Sequence, residues 1–225
     1  MRRHNVDGPP LLGVLADPPP LSVDAFDRAR RDGAVVVDCR SPEAFASHIP
    51  GAVNIGAGNA FSTWAGSALP YDRPLLLVID HPDQLWEICW QLLRIGFDLP
   101  QGWLAGGMMA WRTSGRDLEV MPQWTVTDLA AARERERDLF ILEVRQPGEW
   151  NEGHIPDAHF ITGAELASRL DEVPRDRPVA TICGSGYRSS VASSLLQRAG
   201  HREVTNVLGG MQEWMQKDLP LERGG

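Results

Sequence analysis

A chain of 225 residues with 43% hydrophobic and 23% charged residues has the balance of an ordinary soluble protein and is long enough for two packed domains of about 100 residues each. Its formal net charge of -8 and pI near 5.2 argue against a general nucleic-acid binder, because counterion release needs a basic surface, and point to small molecules or proteins as partners. No apolar stretch approaches the ~20 residues needed to cross a bilayer, and no long apolar run follows Arg2 and Arg3, so the expected location is the cytoplasm.

In chain order, residues 1–20 read as a linker or extended lead-in, closing on the proline-rich run Asp17-Pro18-Pro19-Pro20. Residues 34–37 form a short β-branched run expected to be a buried strand, and residues 85–93 have helical spacing that stops at Gly96. A second strand is expected at 179–182 and a second helix at 190–196, stopping at Gly200. Strands alternating with helices imply an α/β protein with parallel sheets covered on both faces. The seam between two domains is expected near 123–126, just after Met121-Pro122.

The two halves carry the same features in the same order. Asp38-Cys39-Arg40 with Glu43 answers to Glu143-Val144-Arg145 with Glu149, and His48-Ile49-Pro50-Gly51-Ala52 answers to His154-Ile155-Pro156-Asp157-Ala158. Asp72-Arg73-Pro74 and the apolar run after it answer to Asp176-Arg177-Pro178, and Gly106-Gly107-Met108 with Trp111 answers to Gly209-Gly210-Met211 with Trp214. The His48 to Trp111 and His154 to Trp214 spacings differ by three residues, as loop variation allows.

Chemistry points to one place. In Thr181-Ile182-Cys183-Gly184-Ser185-Gly186-Tyr187-Arg188-Ser189-Ser190 a cysteine ends a strand and a glycine-bearing turn leads into a helix. Backbone N–H groups in such a turn converge as an anion nest, the helix N-terminus adds partial positive charge, and both favour a thiolate at Cys183. Arg188 adds a permanent cation, and Gly184 and Gly186 are expected to allow positive φ and close approach to an anion.

These residues resemble the Cys-x-x-Gly-x-Arg-Ser signature of the rhodanese family, with the repeated acidic-x-Arg, Glu and His-Ile-Pro-x-Ala elements resembling the opening of that fold. The resemblance implies an α/β chain of two tandem rhodanese-like domains, each a parallel sheet flanked by helices, with a silent domain at 21–120 and an active one at 124–222. It further implies a sulfurtransferase in which Cys183 and Arg188 are catalytic and Gly184, Ser185, Gly186, Tyr187 and Ser189 bind substrate. Cys183 would take sulfane sulfur from thiosulfate or a glutathione- or CoA-type persulfide and pass it to a thiol or cyanide, with no metal and no cofactor.

A persulfide carrier that relays sulfur to a partner protein is the alternative. A cysteine phosphatase fits less well, since its Cys-x5-Arg pattern requires arginine where Ser189 stands. Residues 5–13 and 61–74 also resemble the linker and silent domain of bacterial fusions in which a metallo-β-lactamase-fold persulfide dioxygenase precedes two rhodanese domains. A persulfide dioxygenase domain or protein is therefore an implied partner, although no His-x-His-x-Asp-His motif occurs in the chain. A free-standing chain and the carboxyl-terminal part of a larger one both stay open.

In the first half the place of the nucleophile falls on Ile79 or Asp80, neither of them a thiol, and Asp80 and His81 read as a turn before a helix. Cys39 and Cys89 are expected to be core residues. The expectation for Arg145 and Glu149, like Arg40 and Glu43, is ion pairs that support the fold. His48 and His154 read as turn residues with backbone partners, and Trp103, Trp111 and Trp214 as core or interface anchors.

Overall fold

The computed structural model describes residues 15–136 and 138–224, so the readings of residues 1–14 lie outside the described residues. The first half runs β1 (Pro20–Leu21), α1 (Val23–Arg31), β2 (Val35–Asp38), β3 (Ser47–His48), β4 (Val53–Asn54), α2 (Phe61–Ala68), β5 (Leu75–Val78), α3 (Leu85–Arg94), β6 (Gly102–Leu104), α4 (Gly107–Thr113) and β7 (Glu119–Val120). The second runs β8 (Gln123–Trp124), α5 (Val126–Arg135), β9 (Phe140–Glu143), α6 (Pro147–Glu152), β10 (His159–Phe160), β11 (Val179–Ile182), α7 (Tyr187–Arg198), β12 (Val204–Val207) and α8 (Gly210–Gln216).

Each half builds a five-stranded parallel sheet of the same topology, β1-β6-β5-β2-β4 in the first and β8-β12-β11-β9-β10 in the second. All residues of β2, β5, β9 and β11 are buried, because helices cover both faces and leave no solvated side for alternation. The central strands β5 and β11 each open toward a loop and a helix at their carboxyl ends, where sites form in such sheets. The indoles of Trp111 and Trp214 are buried at matching places, and each donates its N–H to a backbone carbonyl, Asp117 or Pro220, at 2.9 Å.

The proline-rich stretch read as a lead-in is in part a strand. Pro20 belongs to β1 at the sheet edge, and the carbonyl of Pro19 accepts from Trp103 N at 3.1 Å. Proline fits there because the N–H it lacks would point away from the sheet. The expected seam is the edge strand β8 of the second sheet, reached through the fully buried Met121.

Near the ends of β2 and β9 the repeats diverge in one buried ion pair. Asp38 meets Arg40 through both carboxylate oxygens, at 2.9 and 2.6 Å. The longer Glu143 meets Arg145 through Oε1 only, and its buried Oε2 has no partner among the described residues. Burial pushes the Glu143 carboxyl up to about 7 against the pull of Arg145. A raised carboxyl favours the folded state below the ordinary carboxylate range and loses that contribution as pH rises from about 4.5 to about 7. Urea unfolding at pH 5 and pH 8 is expected to show a loss of stability on the order of 2 kcal/mol from this group, and Glu143→Gln is expected to flatten that difference.

Candidate active site

The loop after β11 takes its shape from behind. The amides of Met211 and Gln212 at the start of α8 donate to the carbonyls of Cys183 and Gly184, at 2.7 and 3.0 Å. Because each peptide unit is planar and trans, fixing those carbonyls on the α8 side turns the following amides the opposite way, toward the interior of the loop. The approach depends on Gly210, whose φ of +56° puts a hypothetical Cβ against the carbonyl of Cys183 and 2.6 Å from the carbonyl carbon of Gly184. Any side chain there would push the two segments apart.

On the concave side Cys183 Sγ accepts the Gly186 amide at 3.2 Å. Gly186 has φ of +108° and caps α7, so glycine is needed there for its backbone angle. Gly184 differs from the expectation of a positive φ. It is absent from the positive-φ residues, and a Cβ on it would lie 2.8 Å from Arg188 Nη2.

The structure brings Cys183, Gly184, Gly186 and Arg188 together and separates the roles of the other loop residues. Ser185 is exposed. Ser189 is fully buried and its hydroxyl donates to the Gly186 carbonyl at 3.1 Å, so it braces the turn instead of facing an opening. Tyr187 leaves the loop altogether: its hydroxyl donates to the Gly56 carbonyl of the first domain at 2.7 Å, and burial pushes its phenol well up. In this conformation neither Ser189 nor Tyr187 presents its polar group to a substrate.

Glu149 was expected in an ion pair that supports the fold; it belongs to the site instead. Arg145 pairs with Glu143, while Glu149 takes Arg188 in a two-pronged pair at 2.6 and 2.7 Å. The Arg188 guanidinium draws the Glu149 carboxyl down to about 2, and its bonds to Glu149, then its closeness to Cys183, hold Arg188 firmly protonated. Cys183 has no exposed surface, so a donor reaches it only when part of this cover moves.

Hydrogen bonds decide the equivalent position in the first domain. Cys39 N donates to the Val78 carbonyl as Val144 N does to that of Ile182, which makes Ile79 the counterpart of Cys183 and Gln84 that of Arg188. Ile79 is buried, and Gln84 Oε1 accepts from the amides of Asp80 and His81, both at 3.2 Å. The first loop thus closes its own amides with a neutral side chain. Asp80 is exposed beside it.

Burial pushes the thiol of Cys39 well up and that of Cys89 to about 11, so both are neutral core thiols. Arg40 pairs with Asp38, whereas Glu43 has no ion-pair partner among the described residues. His48 and His154 place Nδ1 at 2.9 and 3.2 Å from the carbonyls of Phe45 and Trp150, as turn residues do. Among the described residues no group of three or more His, Cys, Asp or Glu side chains is placed to hold a metal, and no helix is long and apolar enough to cross a membrane.

Two tandem α/β units with a strand-end cysteine in a glycine-bearing turn define a class, and comparison with known proteins agrees. The family model for the rhodanese-like domain matches residues 22–114 and again 125–217. The chain belongs to the rhodanese-like family. Its relatives include a sulfurtransferase of Allochromatium vinosum, 36% identical over 84 residues, covering 37% of this chain and 78% of that protein. The thiosulfate sulfurtransferase GlpE of Vibrio cholerae is 27% identical over 41% of this chain and 88% of its own length. A putative sulfur carrier protein of Bacillus subtilis, YrkF, is 29% identical over 46% of this chain, which spans 56% of it. The crystal structure of a thiosulfate sulfurtransferase from Pseudomonas aeruginosa aligns over 92% of this chain and 44% of its own, at 21% identity and a TM-score of 0.43.

The filled first loop carries a consequence. Ile79→Cys is expected to gain no sulfur under conditions that load Cys183, because Gln84 already occupies the amides that a sulfur anion would need. Peptide-resolved mass after incubation with thiosulfate or glutathione persulfide checks this, and sulfur on the introduced thiol would contradict it.

Proposed function

We propose that the second domain is a sulfurtransferase that moves sulfane sulfur through a persulfide on Cys183. The observation that supports this most strongly is the sulfur of Cys183 accepting a loop amide at a strand end, beside a guanidinium, with the loop carbonyls tied back by α8. Amides aimed at a sulfur suit an anionic one, both as attacking thiolate and as terminal persulfide.

The reaction balances without an external oxidant. The Cys183 thiolate attacks the outer sulfur of the donor, the donor's S–S bond breaks, and sulfite or a thiolate leaves with the bonding pair. The acceptor, a thiolate or cyanide, then attacks the outer sulfur of the Cys183 persulfide and releases the Cys183 thiolate. Thiosulfate and low-molecular-weight persulfides are the proposed donors, and the cytoplasm is the proposed location.

A second reading is favoured by one feature. The complete burial of Cys183 would shelter a persulfide from solvent thiols, as a carrier serving a protein partner requires, a persulfide dioxygenase among the candidates. Steady-state turnover with small donors and acceptors supports the enzyme, and loading without turnover supports the carrier.

Incubation with thiosulfate or glutathione persulfide is expected to add one sulfur to the Cys183 peptide. Cys183→Ser is expected to abolish both the mass gain and transfer while leaving the thermal midpoint close to that of the parent, since oxygen keeps the loop but accepts sulfane sulfur poorly. Retained transfer in that variant refutes the mechanism. For Arg188→Ala the expectation is a fall of roughly tenfold or more in kcat/KM for anionic donors, in line with the loss of one charge-assisted interaction. Equal rates for both forms would mean that the loop amides suffice.

A further inference from the structure

The helix that carries the active loop is unusual in composition. Four serines of α7, Ser189, Ser190, Ser193 and Ser194, are all buried, although serine is a weak helix former that competes for backbone partners. Three of them have a partner in their own domain, Ser194 by donating to the Val191 carbonyl at 2.7 Å. Ser189 braces the turn, and Ser193 meets Thr181 at 2.5 Å inside the second domain.

Ser190 and Ser194, one turn apart on one face, reach the silent domain. Ser190 Oγ donates to Asn54 Oδ1 at 2.6 Å, and Ser194 Oγ accepts the Asn54 backbone amide at 3.0 Å. The Asn54 carboxamide is fixed from the other end, where Nδ2 donates to the carbonyls of Asp38 and Arg40, both at 3.0 Å. Asn54 is 1% exposed, so none of these bonds is shared with bulk water. The same face of α7 places Val191 and Leu195 in the apolar cluster built by the first sheet. Tyr187 at its start is tied to Gly56, and Arg198 at its end donates to the Gly51 carbonyl at 2.7 Å.

Both sides of this contact depart from the internal repeat. By strand register Asn54 corresponds to Phe160, since Asn54 pairs with Asp38 and Phe160 with Glu143. By the loop equivalence Ser190 and Ser194 correspond to Trp86 and Trp90, of which Trp90 is exposed. Polar partners therefore stand at the one junction where the active helix meets the silent domain, and nonpolar or aromatic residues stand at the counterpart positions.

We infer that Asn54 of the silent domain is a positioning residue for Cys183: through Ser190 and Ser194 it sets where α7 begins, and so where the Gly186 amide and the Arg188 guanidinium stand relative to the sulfur. The inference rests on Cys183 being the reactive thiol of the proposed function. It assigns the silent domain a part in the reaction without any contact between its residues and a substrate.

The test uses the full chain with Asn54→Ala, Ser190→Ala and the double variant, each assayed well below its thermal midpoint. Two rates are measured: iodoacetamide alkylation of Cys183, and single-turnover sulfur loading from thiosulfate or glutathione persulfide. Each single variant is expected to slow both rates by at least about tenfold, as displacements near 1 Å do to reacting groups, with KM for the donor nearly unchanged. The double variant is expected to be no slower than the worse single one, because both substitutions cut the same link. Should Asn54→Ala not fold, Ser190→Ala and Ser194→Ala decide the matter. Parent-like rates with only a lowered thermal midpoint, or losses that multiply in the double variant, overturn the inference. Alkylation needs no sulfur donor, so a parent chain that alkylates but never loads sulfur refutes the proposed function while still deciding the role of Asn54.

Discussion

Two hydrogen bonds from the first turn of α8, Met211 N to the Cys183 carbonyl and Gln212 N to the Gly184 carbonyl, hold the Cys183 loop in its shape. A loop of glycines has many conformations available, and closing it around a thiol costs conformational entropy that the loop's own contacts repay poorly. Tying its carbonyls to a packed helix removes that freedom and directs its amides inward. The arrangement needs Gly210 because two backbones must approach more closely than a Cβ permits. The glycines of the loop and of the helix start are therefore parts of one device, although 24 positions separate Gly186 from Gly210.

The same frame in the first domain shows how little separates an active loop from a closed one. Gly107 faces the Ile79 carbonyl as Gly210 faces that of Cys183, but less closely: a Cβ on Gly107 would lie 3.6 Å from that oxygen, in ordinary contact. Once isoleucine replaces the thiol, the converging amides have no anion to bind, and buried or inward donors without a partner are costly. Gln84, at the place of Arg188, supplies an acceptor from within. With neither thiol nor guanidinium, the first loop is a nest that satisfies itself.

The second domain is not packed as an independent unit. Helix α7 faces two apolar clusters, with Ala192 and Leu196 in one that joins residues of both sheets and Val191 and Leu195 in one built by the first sheet. Burial of two such aliphatic side chains is worth about 1.5 to 3 kcal/mol each. Aromatic rings cross the junction in both directions, Tyr187 onto Gly56 and Trp64 onto Gly163, and each glycine leaves room that a side chain would fill. The first domain thus completes the packing of the second.

Much of this was legible in the residue order. Strand and helix periodicity, the repeat and the Cys183 loop are local patterns, set by backbone preferences and by residues close in sequence, so the α/β class and the place of the thiol follow from the chain alone. The edge strand at Pro20 was not legible, because a proline-rich run reads equally as a linker or an extended segment until its pairing partner is known. An ion pair for Glu149 was legible but its partner was not, since only the folded chain decides between Arg145 and Arg188. Tertiary structure alone settled that Ile79, not Asp80, stands at the nucleophile's place, and that Gln84 fills the first loop. It alone brought Asn54 to Ser190 across 136 positions of chain. Those contacts join residues distant in sequence, and their geometry depends on register and on the docking of two domains, which no local pattern encodes.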